Sequence, residues 1–219
     1  MAEDVAATPI VLHHVPASRS QRILWLLHEL GLEPQVRVWP FDRTLRSEAF
    51  LALNPAGRVP ALGMDGRAYW ETGAIVEILC ERFGRLGRAP GDPERADWLI
   101  WVHFAETISQ HAAALTQGHV ILRDPSMRSP TVLKLEAARV GKCFDAVEAR
   151  LSGDWLLSDF SAADVAVGQA AIMGRRFHRV GARPRMAAWL ARLEARPAYA
   201  TADEGRGFYD RDFYEVPDA

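Results

Sequence analysis

Two short segments of the chain carry residue types suited to holding a peptide. The first is Asn54-Pro55-Ala56-Gly57-Arg58-Val59-Pro60-Ala61-Leu62. Pro60 stands directly before a short apolar run, and proline, which lacks an N–H, belongs at a strand start or edge. The Val59–Pro60 bond is therefore a candidate cis peptide. In that geometry the Val59 N–H and C=O turn outward, open to an extended peptide laid beside them as an added strand. The second segment is Glu71-Thr72-Gly73-Ala74-Ile75, with a carboxylate and a hydroxyl where a helix begins. Glu71 suits an ammonium, and Thr72 with the helix N–H groups suits a carboxylate, so the pair is matched to an amino-acid head group.

The elements that must position these residues can be read from the spacing of apolar side chains. A strand is expected over Ile10–His14, then a loop at Pro16-Ala17-Ser18-Arg19-Ser20. A mostly buried helix over Gln21–Leu30 stops at Gly31 in C-cap fashion. A second strand is expected over Val36–Trp39 and a short helix over Ser47–Leu53, ending before Asn54-Pro55. Strands over Ala61–Met64 and Arg67–Trp70 flank Asp65-Gly66, a strong hairpin signal, and a helix follows over Gly73–Phe83. The order β-α-β-α-β-β-α describes a thioredoxin-like α/β layer. Residues 85–93, rich in Gly, Pro and charge, form the best linker candidate. Beyond them the apolar spacing is helical throughout: Glu94–Leu115, Thr131–Leu151, Ser161 to about Phe177 with an acid at Asp164 completing a capping pattern, and Arg185–Arg196 closed by Pro197. Two domains are thus expected, α/β over 1–84 and all-α over 94–219, with residues 1–8 a loose tail.

Composition narrows the partners. A net charge of −2 over 219 residues predicts no general attraction to nucleic acid or an anionic membrane surface. No run approaches the roughly 20 apolar residues of a membrane span. The start, Met1-Ala2-Glu3-Asp4-Val5, lacks the basic-then-apolar pattern of a signal peptide. Cys80 and Cys143 stand alone without a C-x-x-C, which argues against a disulfide scaffold and fits a reducing cytoplasm. His103 and His111 lie close to one helix face, but no third residue stands at matching spacing for a metal, and His13 and His14 alternate across a strand.

Arg58-Val59-Pro60-Ala61-Leu62, the Asp65-Gly66 turn and Glu71-Thr72, taken in this order, resemble the glutathione site of the cytosolic glutathione transferases. Asp154 to Ala166 and Ala187 to Tyr199 are similar to the helix-capping segment and last core helix of that family, so the resemblance spans roughly residues 9 to 200. His14, the run Ser18-Arg19-Ser20-Gln21-Arg22-Ile23-Leu24-Trp25 and Trp101 to Glu106 lean toward its bacterial and fungal serine-loop members.

The resemblance implies that glutathione is the co-substrate and that the chain forms a two-fold dimer; one hydroxyl and a helix amide end suffice to hold a thiolate, so no metal is expected. It implies that Val59 and Pro60 present the docking edge, that Glu71 and Thr72 hold the γ-glutamyl end, that Arg58 faces the glycyl carboxylate, and that a hydroxyl after the first strand keeps the thiol anionic. Counting back from Arg22 and Gly31, that activating position falls on Ala17. A loop shorter by one residue restores Ser18; otherwise Ser20, or the Arg19 N–H and guanidinium, takes the role. The electrophile is expected against the first helix of the all-α part, near His103, Glu106, Thr107, Gln110 and His111. Peroxidase or thioether-cleaving chemistry would use the same thiolate, and a non-catalytic binding module would share the fold. The path of the aromatic tail, with Phe208, Tyr209, Phe213 and Tyr214, is left open.

Overall fold

The computed structural model describes residues 9–216; the tail expected over 1–8 lies outside the described residues. The first part runs β1 (Val11–His14), α1 (Ser20–Glu29), β2 (Gln35–Val38), a 3-10 turn (Arg43–Arg46), α2 (Glu48–Leu51), β3 (Ala61–Met64), β4 (Arg67–Trp70) and α3 (Thr72–Phe83). The strand order is β2-β1-β3-β4, with β1 parallel to β2 and β3 antiparallel to both β1 and β4. Asp65 and Gly66 turn the hairpin with φ of 52° and 72°, the positive pair that a two-residue hairpin favours. In the register, His13 stands opposite Ala61 and Ala61 opposite Trp70. The end of β1, the start of β3 and the end of β4 therefore meet at one end of the sheet. The Val59-Pro60 and Glu71-Thr72 segments and the loop over Pro16–Ser20 all lie there.

The helical part comprises α4 (Arg95–Thr116), continued by a π turn (Gln117–Ile121), a 3-10 turn (Pro125–Met127), α5 (Pro130–Arg150), α6 (Ala162–Gly174), α7 (Pro184–Glu194) and α8 (Pro197–Ala202). Every residue of α6 is buried, as its nearly continuous apolar sequence requires. Gly168 permits the crowding: a Cβ there would stand 2.5 Å from Leu193 Cδ1 and 3.5 Å from the Trp25 ring. Most boundaries shift by a residue or two, and two of the differences have a clear cause. The helix after Ser161 ends at Gly174, because Phe177 and His178 donate their N–H groups to the Gly174 carbonyl and turn the chain. Pro197 closes one helix but also opens α8, since a proline ring fits a first helical turn.

Asp164 organises the start of α6. Its side chain is fully buried and accepts from the N–H of Leu156 (2.9 Å), Trp189 Nε1–H (3.0 Å) and the N–H of Ser161 (3.0 Å). Ser161 Oγ in turn accepts from the Ala163 N–H, completing a capping box. A carboxylate that satisfies donors from three directions fixes the loop before α6 and the Trp189 ring together.

A second polar cluster ties α1 and α3 to α4. Arg22 lies within the apolar face of α1 and is fully buried. Its guanidinium donates to Glu106 Oε1, to Thr72 Oγ1 (3.0 Å) and to Ser109 Oγ (2.9 Å). Thr72 donates its own hydroxyl to Glu106 Oε1 (2.8 Å), and Arg19 Nη1 reaches Glu106 Oε2 (2.7 Å). Burial alone would push the Glu106 carboxyl up, but the Arg22 and Arg19 charges and the bonds from Thr72 and Arg22 outweigh it and hold it at about 2.

Two outcomes follow for stability. Asp164→Ala leaves three buried donors without an acceptor and is expected to cost about 3–5 kcal/mol in denaturant unfolding, with Asp164→Asn costing less. For Glu106, the folded carboxyl titrates below the unfolded one. Its contribution is therefore present above about pH 4.5 and lost as the pH falls toward about 2. With solvent screening at its exposed edge, that contribution is about 2 kcal/mol. Thermal midpoints measured down this range should fall less steeply for Glu106→Gln than for the parent; equal slopes would show that the carboxyl is not held low.

Candidate functional site

The loop from Val15 to Ser20 turns tightly. Ser18 N–H donates to the Val15 carbonyl at 3.2 Å, and Ala17 adopts φ 56°, a left-handed conformation uncommon for a residue with a Cβ. The two serines have different surroundings. Ser20 is fully buried; its Oγ accepts the Val15 N–H (3.1 Å) and stands 2.9 Å from His14 Nδ1. Ser18 is half-buried, with its Oγ 2.7 Å from Ser20 Oγ and accepting the Ser20 N–H at 3.2 Å. The Arg19 N–H, at the start of α1, has no hydrogen-bond partner among the described residues. Its guanidinium is anchored on Glu106.

Beside this loop, the Val59–Pro60 bond is cis. The Val59 N–H and C=O make no hydrogen bond among the described residues. Asn54 braces the segment by donating Nδ2–H to the Arg58 carbonyl (2.6 Å) while its Oδ1 accepts the Ala56 N–H (3.0 Å). Pro60 is buried, and the exposed Arg58 side chain has no polar partner among the described residues.

The third wall is the start of α3. Glu71 has φ 70° and an exposed side chain. The first intrahelical bond is Ile75 N–H to the Glu71 carbonyl, so the N–H groups of Thr72, Gly73 and Ala74 are unpaired among the described residues. The Thr72 hydroxyl is directed inward, to Glu106. Free main-chain amides, rather than that hydroxyl, are what this helix start offers to an anion.

The five α4 residues expected to face a second ligand diverge. Glu106 belongs to the internal cluster with Arg22 and Thr72. His103 is exposed, 3.3 Å from Glu77, and lies against Gly73. Thr107 and Gln110 are exposed, and His111 Nδ1 is bound to Glu136 of α5 at 2.6 Å. No group of three potential metal ligands occurs among the described residues, and no described helix is long and apolar enough to cross a membrane.

The tail settles over the loop. A Cβ at Gly207 would stand 2.5 Å from Ala17 Cβ, Phe208 stacks on Phe41 (centroids 4.5 Å apart, 17° between planes), and Tyr209 and Tyr214 are buried. Just before them, Glu204 Oε2 meets His14 Nε2 at 2.5 Å. Three residues here were not picked out from sequence as parts of the site: Arg22, His14 as a partner of Ser20, and Glu204. Only Arg22 left a local signal, as a charge in the first turn of a helix whose next five residues, Ile23 to Leu27, are apolar. The contact between His14 and Glu204 joins residues far apart in the chain, which no spacing rule reveals.

Known proteins carry the same frame. The profile described as "Glutathione S-transferase, N-terminal domain" matches residues 12–90. Glutathione S-transferase 3 of Schizosaccharomyces pombe is 35% identical over 100 residues, which make up 44% of this chain and 41%, less than half, of that protein. Glutathione S-transferase 3 of Zea mays is 28% identical over 205 residues, 87% of this chain and 91% of that one. A crystal structure of a glutathione transferase from Phanerochaete chrysosporium, solved with oxidized glutathione, has the same fold at a TM-score of 0.81 and 21% identity, covering 90% of this chain and 95% of that one. With a sheet ordered β2-β1-β3-β4 leading into a helical bundle, and with residues 12–90 matching a glutathione S-transferase N-terminal domain, the chain has the fold of the cytosolic glutathione transferases and is similar to them along most of its length.

Proposed function

We propose that the chain transfers the thiolate of glutathione to small, largely apolar electrophiles. The observation that carries this reading is the unpaired main chain of Val59, set between the Ser18 loop and the free amides of α3. A γ-glutamyl tripeptide laid along that edge would pair its cysteinyl backbone with Val59, as an added strand does, with Pro60 fixing the direction of the edge. Its γ-glutamyl head would meet Glu71 through the ammonium and the amides of Thr72 to Ala74 through the carboxylate. Arg58 would face the glycyl carboxylate. The sulfur would then front Ser18 and the N–H of Arg19. The structural relative crystallised with oxidized glutathione supports glutathione as the thiol.

The energetics suit that arrangement. A free thiol near 8.5 must fall to about 6–7 to be mostly anionic at neutral pH, and two units correspond to roughly 2.7 kcal/mol. A hydroxyl bonded to a charged partner supplies about 1.5–3 kcal/mol. A helix start supplies roughly 0.3–1 kcal/mol more. One hydroxyl and one helix end are enough, and Ser18 fits better than Ser20, whose oxygen is enclosed. The thiolate would attack an electrophilic carbon and displace its leaving group, with the exposed α4 residues His103, Thr107 and Gln110 on the electrophile's side. One observation favours a second reading, a binding module without turnover: Ser18 Oγ already lies 2.7 Å from Ser20 Oγ, so its proton has an internal acceptor.

Titrating the thiolate absorbance of bound glutathione distinguishes the two. Under the transferase reading the parent lowers the thiol pKa, and Ser18→Ala raises it again by about one unit, with kcat/KM falling about tenfold below neutral pH. An unshifted thiol in the parent favours the binding module, and a lowered thiol that Ser18→Ala leaves alone assigns the work to the Arg19 N–H. Separately, Glu71→Gln should weaken glutathione binding about tenfold by calorimetry, the loss of one charge-assisted bond; unchanged affinity would remove Glu71 from the head-group site.

A further inference from the structure

Behind Ser18 runs a line of hydrogen-bonded groups: Ser18 Oγ to Ser20 Oγ at 2.7 Å, Ser20 Oγ to His14 Nδ1 at 2.9 Å, and His14 Nε2 to Glu204 Oε2 at 2.5 Å. Each hydroxyl has one proton, so the line can point only one way at a time. The His14 ring is fully buried, whereas the Glu204 side chain is about a quarter exposed.

We propose that His14, held by Glu204, sets the direction of this hydroxyl line and thereby decides whether Ser18 has a proton to offer an anion in front of the loop. The inference rests on the reading above, in which that anion is the glutathione thiolate. With neutral His14 and its proton on Nε2 toward Glu204, Nδ1 is an acceptor. Ser20 then donates to Nδ1 and Ser18 donates to Ser20, leaving no hydroxyl proton for a ligand. With His14 as an imidazolium paired to the Glu204 carboxylate, Nδ1–H donates to Ser20 Oγ, Ser20 O–H to Ser18 Oγ, and Ser18 O–H is free to face outward. One concerted shift converts the first state into the second. The thiol proton passes to Ser18 Oγ, the Ser18 proton to Ser20 Oγ and the Ser20 proton to His14 Nδ1. Each hydroxyl gives one proton and gains one, so the net transfer is one proton from sulfur to imidazole. Thiolate and imidazolium then favour one another through two oriented hydroxyls, and the proton reaches solvent by way of the part-exposed Glu204.

The surroundings fit this role. Ser20 Oγ also accepts the Val15 N–H at 3.1 Å, which holds it in line, and the Val15 carbonyl, at 3.3 Å, is a longer alternative to His14 Nδ1 and Ser18 Oγ for its proton. Among the described residues, Glu204 of the tail is the ionisable side chain bonded to the His14 ring. α1 contributes Ser20, the residue after β2 contributes only main chain through Trp39 N–H on the His14 carbonyl, and His13 turns to Trp39 instead. His14 and Glu204 touch no ligand; they are positioning residues that act through Ser20 and Ser18.

The test uses the full chain with two probes, glutathione and S-methylglutathione, which has no thiol proton. Glu204→Gln keeps a hydrogen-bonding group but removes the charge. His14→Asn keeps an amide near Nδ1 but cannot take up a proton. The expected result is that both variants bind S-methylglutathione as the parent does, while the thiol of bound glutathione titrates about one unit higher and the acid limb of the kcat/KM profile moves with it. Glu204→Asp should restore part of the shift. The proposal is overturned if Glu204→Gln, a change on the surface tail that the fold tolerates most readily, titrates bound glutathione as the parent does. If the parent retains neither probe, the glutathione reading beneath it fails as well, an outcome distinct from loss of the relay alone.

Discussion

A guanidinium at zero exposure inside an apolar helix imposes the strongest constraint on this molecule. Removing a charge from water costs several kcal/mol unless partners replace the lost hydration. For Arg22 those partners come from two other helices: Thr72 opens α3, and Glu106 and Ser109 lie on α4. Satisfying one charge thus fixes the spacing of three helices, and two of them, α1 and α3, begin at the candidate site. The bundle is more than a cover for the sheet. It carries the carboxylate without which the start of α1 could not be buried.

The same economy separates inward from outward groups. The Thr72 hydroxyl, the Arg19 guanidinium and the Ser20 hydroxyl are all committed to the protein itself. The Val59 main chain, the Arg19 N–H and the first amides of α3 remain open. These side chains hold the frame and leave the main chain beside them free. Backbone amides held by regular structure have few alternative positions, so little ordering is required when a peptide arrives.

Much of this was readable in advance because it rests on local rules. Asp65-Gly66 set the hairpin, Pro60 the strand start and Ser161 with Asp164 the cap of α6, and each appears where turn and capping chemistry required it. The juxtaposition of loop, strand start and helix start followed from the order of the elements. What could not be read was the destination of polar side chains across long sequence separations. Glu106 was expected on an open face and turned inward, because a buried arginine draws a carboxylate more strongly than an open cleft does. Ser18 and Ser20 differ little in sequence, and the packing of His14, itself bonded to the tail, against Ser20 separates them.

The contact between Ala17 and Gly207 has a consequence for relatives of this chain. With so little room between the two positions, a larger side chain at either one would displace the segment opposite. A lineage that placed a larger, hydroxyl-bearing residue at 17 would have to reroute its tail and would lose the carboxylate that the tail brings to the first strand. Positions 17, 204 and 207 should therefore vary together across homologues, as one inherited unit: a small residue under a glycine with an acid nearby, or none of the three.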